Sequence, residues 1–261
     1  MAADFRRDGV RSSLVWDVLR AVVSARVAET GRQVLDIVDV GGGTGGLAVP
    51  FAVLGHNVTV VDPSPDALAA AQRRAAEAGA RLASVQGDAA SLDSVAGTAA
   101  ADLVICHNVL EYVDSPADAM SAIARVLRPS ATVSVVASNA VAAVLHRALA
   151  GRFAEARRLL AGTVPAPGEA GRTAAVITVG RDDRAGVPRR FTLPELTALI
   201  EDAGLQAGEM HGLRIFGGLV PGVLLDGDAA ATEALRALEE AAASIPPLRD
   251  IAAQLHVLAH R

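Results

Sequence analysis

From residue 34 onward the chain alternates short, unbroken apolar runs with longer segments whose apolar residues recur every third or fourth position. The runs Val34–Val40, Asn57–Val61, Arg81–Gln86, Asp102–Cys106 and Thr132–Ala137 are rich in Val and Ile with little polar alternation, which predicts strands buried on both faces. Between them, Leu47–Leu54, Pro65–Ala78 and Pro116–Leu127 predict helices, with Ser64 and Ser115 as N-caps ahead of a proline at the first helical position. Strands and helices in strict alternation predict a parallel, doubly wound sheet. Ahead of the first strand, Ser12–Ala28 sets Leu14, Val15, Val18, Leu19, Val22, Val23 and Val27 on one stripe, a helix within an N-terminal cap of residues 1–30.

After the fifth strand the pattern changes. Ala140–Leu160 reads as helical and arginine-studded, and Gly162–Pro188 is rich in Gly, Pro and Arg, so residues 139–190 are expected to form an inserted helical cover. Alternation resumes with a helix at Leu193–Ala203 capped by Thr192, a strand at Gly212–Phe216, a helix near Ala229–Ala243 and a last strand at Gln254–His260. The expectation is one α/β domain over residues 1–261, doubly wound, with a seven-stranded and mostly parallel sheet.

Composition narrows the classes of function. A chain of 261 residues that is 51% hydrophobic and 20% charged can bury a full core. Its longest uncharged stretch, Val40–Val61, is interrupted by Gly41–Gly46, Pro50 and Gly55, so no membrane span is expected. Asp4, Arg6, Arg7 and Asp8 precede any apolar run, which is unlike a signal peptide, and a cytoplasmic location is expected. Cys106, the single cysteine, sits inside an apolar run and reads as core packing; no metal site is expected. A net charge of −5 gives no overall pull toward nucleic acid, but residues 139–190 hold nine arginines against four acidic residues.

The chemistry gathers at strand ends. Asp39-Val40-Gly41-Gly42-Gly43-Thr44-Gly45-Gly46 follows the first strand and opens a helix, where backbone without Cβ atoms can approach a ligand closely. The spacing fits both a dinucleotide loop and the Asp-x-Gly-x-Gly-x-Gly loop that holds S-adenosylmethionine. Asp39 favours the second, because a carboxylate there repels a pyrophosphate and suits an ammonium or sulfonium charge. Asp62, at the end of strand two, is placed to accept hydrogen bonds from ribose hydroxyls, a feature common to both cofactors. Gly87-Asp88-Ala89 after strand three and Cys106 to Glu111 after strand four are expected to complete the pocket, Asp88 facing the adenine amino group and His107 the transferred methyl.

These residues carry a resemblance. The chain resembles class I S-adenosylmethionine-dependent methyltransferases, and within them the bacterial enzymes that methylate the carboxylate of 5-carboxymethoxyuridine at the tRNA wobble position. The matching pieces are Arg11 to Trp16, the Gly41 loop, His107 to Val113, Ser138-Asn139 through His146 to Phe153, and Gly212 to Phe216. The resemblance implies S-adenosylmethionine as cofactor, contacts to it from Arg11, Gly41, Gly42, Asp62, Gly87, Asp88 and His107, and a grip on its carboxylate by Arg11. It also implies tRNA as partner, with Asn139, His146 and Arg214 of the matching pieces expected on the acceptor side; the arginine excess of residues 139–190 adds Arg189 and Arg190 to them. The chain departs from those enzymes between strand five and the next helix, where it has dispersed arginines in place of a lysine-rich stretch. A small-molecule O- or N-methyltransferase is the alternative within the fold. Outside it stand a nicotinamide-dependent oxidoreductase and a protein that binds the cofactor without turnover.

Overall fold

The structure, a computed structural model, describes residues 2–161, 188–220 and 229–261, with side chains from Leu14 onward. The chain forms two compact units, each assembled from separate stretches of sequence. One comprises Trp16–Val136, Leu199–Glu209 and Val257–Arg261, and it carries the sheet. Its strands are β1 (Asp36–Val40), β2 (Asn57–Asp62), β3 (Ala83–Gln86), β4 (Ala101–His107) and β5 (Leu127–Ser138), joined at one edge by β6 (Gln206–Leu213) and β7 (Gln254–His260). The order is β3-β2-β1-β4-β5-β7-β6, and β1 pairs in parallel with both β2 and β4, as β2 does with β3 and β4 with β5. The doubly wound, seven-stranded α/β expectation is borne out.

Helix α1 (Ala2–Thr30) precedes β1, and α2 (Ala48–Val53), α3 (Pro65–Glu77) and α5 (Pro116–Val126) cross between strands. Both caps behave as the sequence predicts: Ser64 accepts a hydrogen bond from the Ala67 amide and Ser115 from the Asp118 amide, each before a proline at the start of the helix. One short element was not legible, a 3₁₀ turn at Ala89–Ser91 leading into α4 (Leu92–Ala96). Strand β4 is buried along its length up to His107, and its Leu103, Val104 and Ile105 each contribute about 1.5–3 kcal/mol by leaving water. Trp16 of α1 lies 4.7 Å from Phe51 of α2, ring centre to ring centre.

At the amino ends of the strands, Asp102 is buried and accepts from the Asp36 amide at 3.0 Å and from Arg32 and Arg128 at 2.8 Å each. Arg26 of α1 approaches the same carboxylate at 3.5 Å. This knot ties α1, β1, β4 and β5 together at the end opposite the glycine loop.

The other unit comprises Met1–Val15, Ala137–Ala198 and Met210–His256. It holds α6 (Ala140–Leu149), α7 (Phe153–Ala161), the start of α8 (Leu193–Asp202), α9 (Ala229–Ala242) and α10 (Pro246–Arg249). The single helical stretch expected over Ala140–Leu160 is broken between α6 and α7, where Gly151 takes φ +72°. Thr192 caps α8 in a reciprocal box: its amide donates to the Glu195 carboxylate at 2.8 Å and its hydroxyl accepts from the Glu195 amide at 3.4 Å. Residues 162–187 of the expected cover lie outside the described residues.

The strand expected at Gly212–Phe216 is displaced. It runs instead from Gln206 and ends at Leu213, because Arg214 turns the chain at φ +59°. The amides of Ile215, Phe216 and Gly217 then donate to the buried Glu239 carboxylate of α9 at 2.7, 2.8 and 2.6 Å and not to a neighbouring strand. The apolar signal of Ile215 and Phe216 belongs to a small core with Ala242 and Ala252. The true strand hid because its first residues are half exposed and carry Gln206 and Glu209. Among the described residues no helix is long and apolar enough to cross a membrane.

Candidate functional site

The glycine loop leaves β1 and doubles back over its end. The Gly41 amide donates to the Val61 carbonyl at 2.7 Å, pinning the loop to β2. Gly41 has φ +64°, and a Cβ there would overlap a methyl group of Val109; a Cβ on Gly42 would stand 2.6 Å from Asp39 Oδ2. Glycine is therefore required twice, once for backbone conformation and once for space against a carboxylate. The Gly43 amide donates to Asp62 Oδ2 at 2.9 Å.

Three carboxylates mark the strand ends. Asp39 is 4% exposed, and its pKa is pushed up to about 7, first by burial and second by the negative charge of Asp62, against a smaller opposing hydrogen bond from the Ala48 amide. Asp62 is held from both sides, Oδ2 by Gly43 and Oδ1 by the Ser64 amide at 2.9 Å. Asp88 caps the 3₁₀ turn, accepting from the Ser91 amide at 2.9 Å, and its exposed side chain stands beyond β3. Ala89 beside it is buried.

At these carboxyl ends lies a cleft of about 540 Å³ whose walls include Gly41, Asp62, Gly87, Asp88, Asn108 and Tyr112. Of the residues expected from sequence, Gly41, Asp62, Gly87, Asp88 and Ala89 line it, while Asp39, Gly42, Gly43 and His107 do not. Asp39 touches the underside of the loop at Gly42. His107 ends β4 with Nε2 2.8 Å from Ser134 Oγ of β5. Within the run Cys106 to Glu111, Asn108 and Val109 reach the cleft, whereas Cys106, Leu110 and Glu111 pack inward. Burial, with the charges of Glu111 and Asp39, holds the Cys106 thiol well above its usual pKa, in keeping with core packing.

Sequence reasoning missed the stretch Tyr112 to Ser115 and Asp118, which form the far wall. The signal was there, since Ser115 was legible as a helix cap and the turn before a cap at the carboxyl end of β4 must face the same cleft. Tyr112 is 72% exposed there, a large aromatic surface beside the opening. Among the described residues no cluster of His, Cys, Asp and Glu could hold a metal ion.

The expected acceptor-side residues fall in the other unit. Asn139 is 2% exposed and fully engaged in the fold: its oxygen accepts from the Val141 amide and its NH₂ donates to the carbonyls of Asp250 and Ala252. His146 lies on α6, and Arg214 on the turn after β6. Arg189 and Arg190 are half buried beside Phe191, which bridges to Asn139. Arg11 lies within α1, and its side chain is outside the described set.

The sheet order with a glycine turn after β1 is the class I methyltransferase fold, and residues 38–135 match the family model described as "Methyltransferase domain". Magnesium protoporphyrin IX methyltransferase from Synechocystis, solved with bound S-adenosylhomocysteine, superposes with a TM-score of 0.56 at 16% identity, over 94% of this chain and 83% of that one. In sequence, the chain is 33% identical over 146 residues to tRNA 5-carboxymethoxyuridine methyltransferase of Escherichia coli, covering 55% of this chain and 54% of that protein. It is 34% identical over 145 residues to a ubiquinone biosynthesis O-methyltransferase of Xanthomonas oryzae, covering 54% of this chain and 57% of that one. The chain thus spans about half the length of the curated relatives it matches.

Proposed function

We propose that the protein is an S-adenosylmethionine-dependent methyltransferase acting on an acceptor oxygen. The observation that carries this reading is the pair Asp39 and Asp62 at the adjoining ends of β1 and β2, one buried under the glycine loop and one lining the cleft. The residues fit the cofactor. Asp62 would hold the ribose hydroxyls and Asp88 the adenine amino group, Asp39 beneath the loop would favour the ammonium group through its charge, and Arg11 would take the carboxylate as the resemblance implies. When bound, the cofactor supplies an electrophilic methyl on a sulfonium. The protein's part is to align an acceptor oxygen with that methyl and keep water away, a contribution of about 7–11 kcal/mol when alignment is complete.

The acceptor reading is the carboxylate of a modified wobble uridine in tRNA. The Escherichia coli relative supports it, as does the arginine excess of residues 139–190. A carboxylate acceptor is ionised at neutral pH and asks for no general base, in keeping with His107 being tied to Ser134. The Xanthomonas relative favours a second reading, O-methylation of a small molecule; the His107 expected as its base lies outside the cleft lining, against Ser134.

The test is calorimetry followed by methyl transfer. S-adenosylhomocysteine should bind and NAD should not; the reverse would overturn the class and revive the oxidoreductase. Labelled methyl from S-adenosylmethionine should then enter total tRNA from cells lacking the gene. Transfer to small phenols or acids with none to tRNA would move the acceptor to the second reading, and cofactor binding with no S-adenosylhomocysteine production from any acceptor would leave a binding protein.

A further inference from the structure

The chain leaves β4 through a tight turn that sorts its side chains. Asn108 takes φ +56°, a left-handed conformation that asparagine tolerates, and the Tyr112 amide donates to the Val109 carbonyl at 2.9 Å. Val109 turns toward Gly41 of the glycine loop, close enough to overlap a Cβ placed there, while Leu110 and Glu111 are buried. Tyr112 is left in the cleft wall with 72% of its surface exposed. Packing within the protein covers little of this ring, and a ring left uncovered in the wall of a cleft offers one of its faces to a flat ligand.

The neighbours of the ring select that ligand. The 3₁₀ turn at Ala89–Ser91 packs against α5, which brings Asp88 and Ala89 to the side of the cleft where Tyr112 and Ser115 stand. Asp62, Asp88, Asp114 and Asp118 all line the cleft, and among the described residues no arginine or histidine lines it with them. A base within an RNA strand brings phosphates, which these carboxylates repel. A purine that carries no phosphate and presents an amino group meets acceptors instead.

We propose that the Tyr112 ring stacks on the adenine of S-adenosylmethionine bound in this cleft. The inference rests on the methyltransferase reading and adds a cofactor-binding residue to it: in that reading Asp62, Asp88, Asp39 and Arg11 serve the ribose, the amino group and the methionine end, and Tyr112 serves the face of the purine. The contact is made by the ring, and the hydroxyl has no part in it.

The protein has a single tyrosine, so in a sample labelled with ¹³C-tyrosine every ring signal belongs to Tyr112. S-adenosylhomocysteine and adenosine should each move these signals upfield to saturation, the mark of a ring lying over a purine, and L-homocysteine should leave them in place. By calorimetry, Tyr112→Ala should bind both purine ligands about tenfold more weakly. Its melting temperature should be that of the wild type, because the lost ring is exposed. Tyr112→Phe, which keeps the ring, should restore the affinity. Adenosine monophosphate should bind more weakly than adenosine at low salt, since its phosphate meets the carboxylates of the cleft. S-adenosylhomocysteine binding with unmoved tyrosine signals, wild-type affinity in Tyr112→Ala, an equal loss in Tyr112→Phe, or tighter binding of the monophosphate would overturn the inference and leave the methyltransferase reading standing. A wild type that binds neither S-adenosylhomocysteine nor adenosine would overturn that reading, and the role of Tyr112 with it.

Discussion

Lowering the pH should loosen the cofactor through Asp39, and the size of the effect can be worked from the structure. The free protein holds Asp39 with a pKa of about 7 against an ordinary 3.8, because the carboxylate is buried and faces the charge of Asp62. An ammonium group seated beside it favours the ionised form and pulls that pKa down, so binding below pH 7 must expel a proton. At about pH 5.5 only some 3% of Asp39 is ionised, so affinity should fall about thirtyfold from its value above pH 7, or about 2 kcal/mol at 1.36 kcal/mol per unit.

The same shift has the opposite consequence for the free protein. The folded pKa lies above the unfolded one, so between about 4 and 7 the folded state keeps a proton that the unfolded chain gives up, and stability falls as pH rises through that window. The full penalty at neutral pH is on the order of 4 kcal/mol. Asp39→Asn removes it but leaves amide protons to satisfy against Gly42, so the net gain should be about 2 kcal/mol. The variant should therefore melt higher at neutral pH while binding S-adenosylhomocysteine more weakly and without pH dependence. Calorimetry in two buffers of different ionisation heat reads both affinity and proton release. A wild type whose affinity is flat over this range, or an Asp39→Asn protein with the wild-type slope, would refute the reasoning.

Gly41→Ala should cost about 2–4 kcal/mol from left-handed backbone and overlap with Val109, and Val109→Ala in the same chain should return the overlap portion, as denaturant midpoints would show. Asp102→Asn should destabilise by about 3 kcal/mol, since a buried carboxylate with three arginine partners leaves cations facing a neutral amide; cofactor affinity should not change, because the knot lies at the far end of the strands. Thr192→Ala should lose about 1 kcal/mol by opening the box with Glu195, measured by thermal melting.

What the sequence made legible follows the strength of each local signal. Strands buried on both faces, such as β1 and β4, announce themselves by unbroken Val and Ile, and helix starts by serine before proline. Edge strand β6 gave no such signal, because one side needs no apolar residue, and the apolar Ile215-Phe216 pair beyond it drew the assignment too far along. Glu239 could not have been anticipated. Its role as acceptor for three amides joins residues more than twenty positions apart, and nothing in a helical glutamate distinguishes it from a solvated one. Within the site, the loop and the strand-end carboxylates were legible because spacing after a strand fixes them. The orientation of His107 toward Ser134 was not, since a residue at a strand end can turn to the ligand or to the neighbouring strand with no change in sequence.

The choice between a cationic and an anionic cofactor rests on electrostatics more than on the glycines. The loop's amides would serve a pyrophosphate well, and the Gly43 amide is the natural donor to one. Here that amide is already given to Asp62 at 2.9 Å. An anion entering the loop would have to displace a fixed carboxylate while approaching the buried charge of Asp39, paying twice for the same position. A cation meets the opposite situation: the rise of the Asp39 pKa to about 7 reflects how unfavourable its negative charge is without a partner, and a positive ligand relieves that cost. On the proposed reading, Asp62 in the cleft wall and Asp39 beneath the loop are the groups that would discriminate most strongly by charge. The acceptor is under no such constraint from these residues, which is why one cleft of this kind is compatible with relatives named for a tRNA and for a quinone.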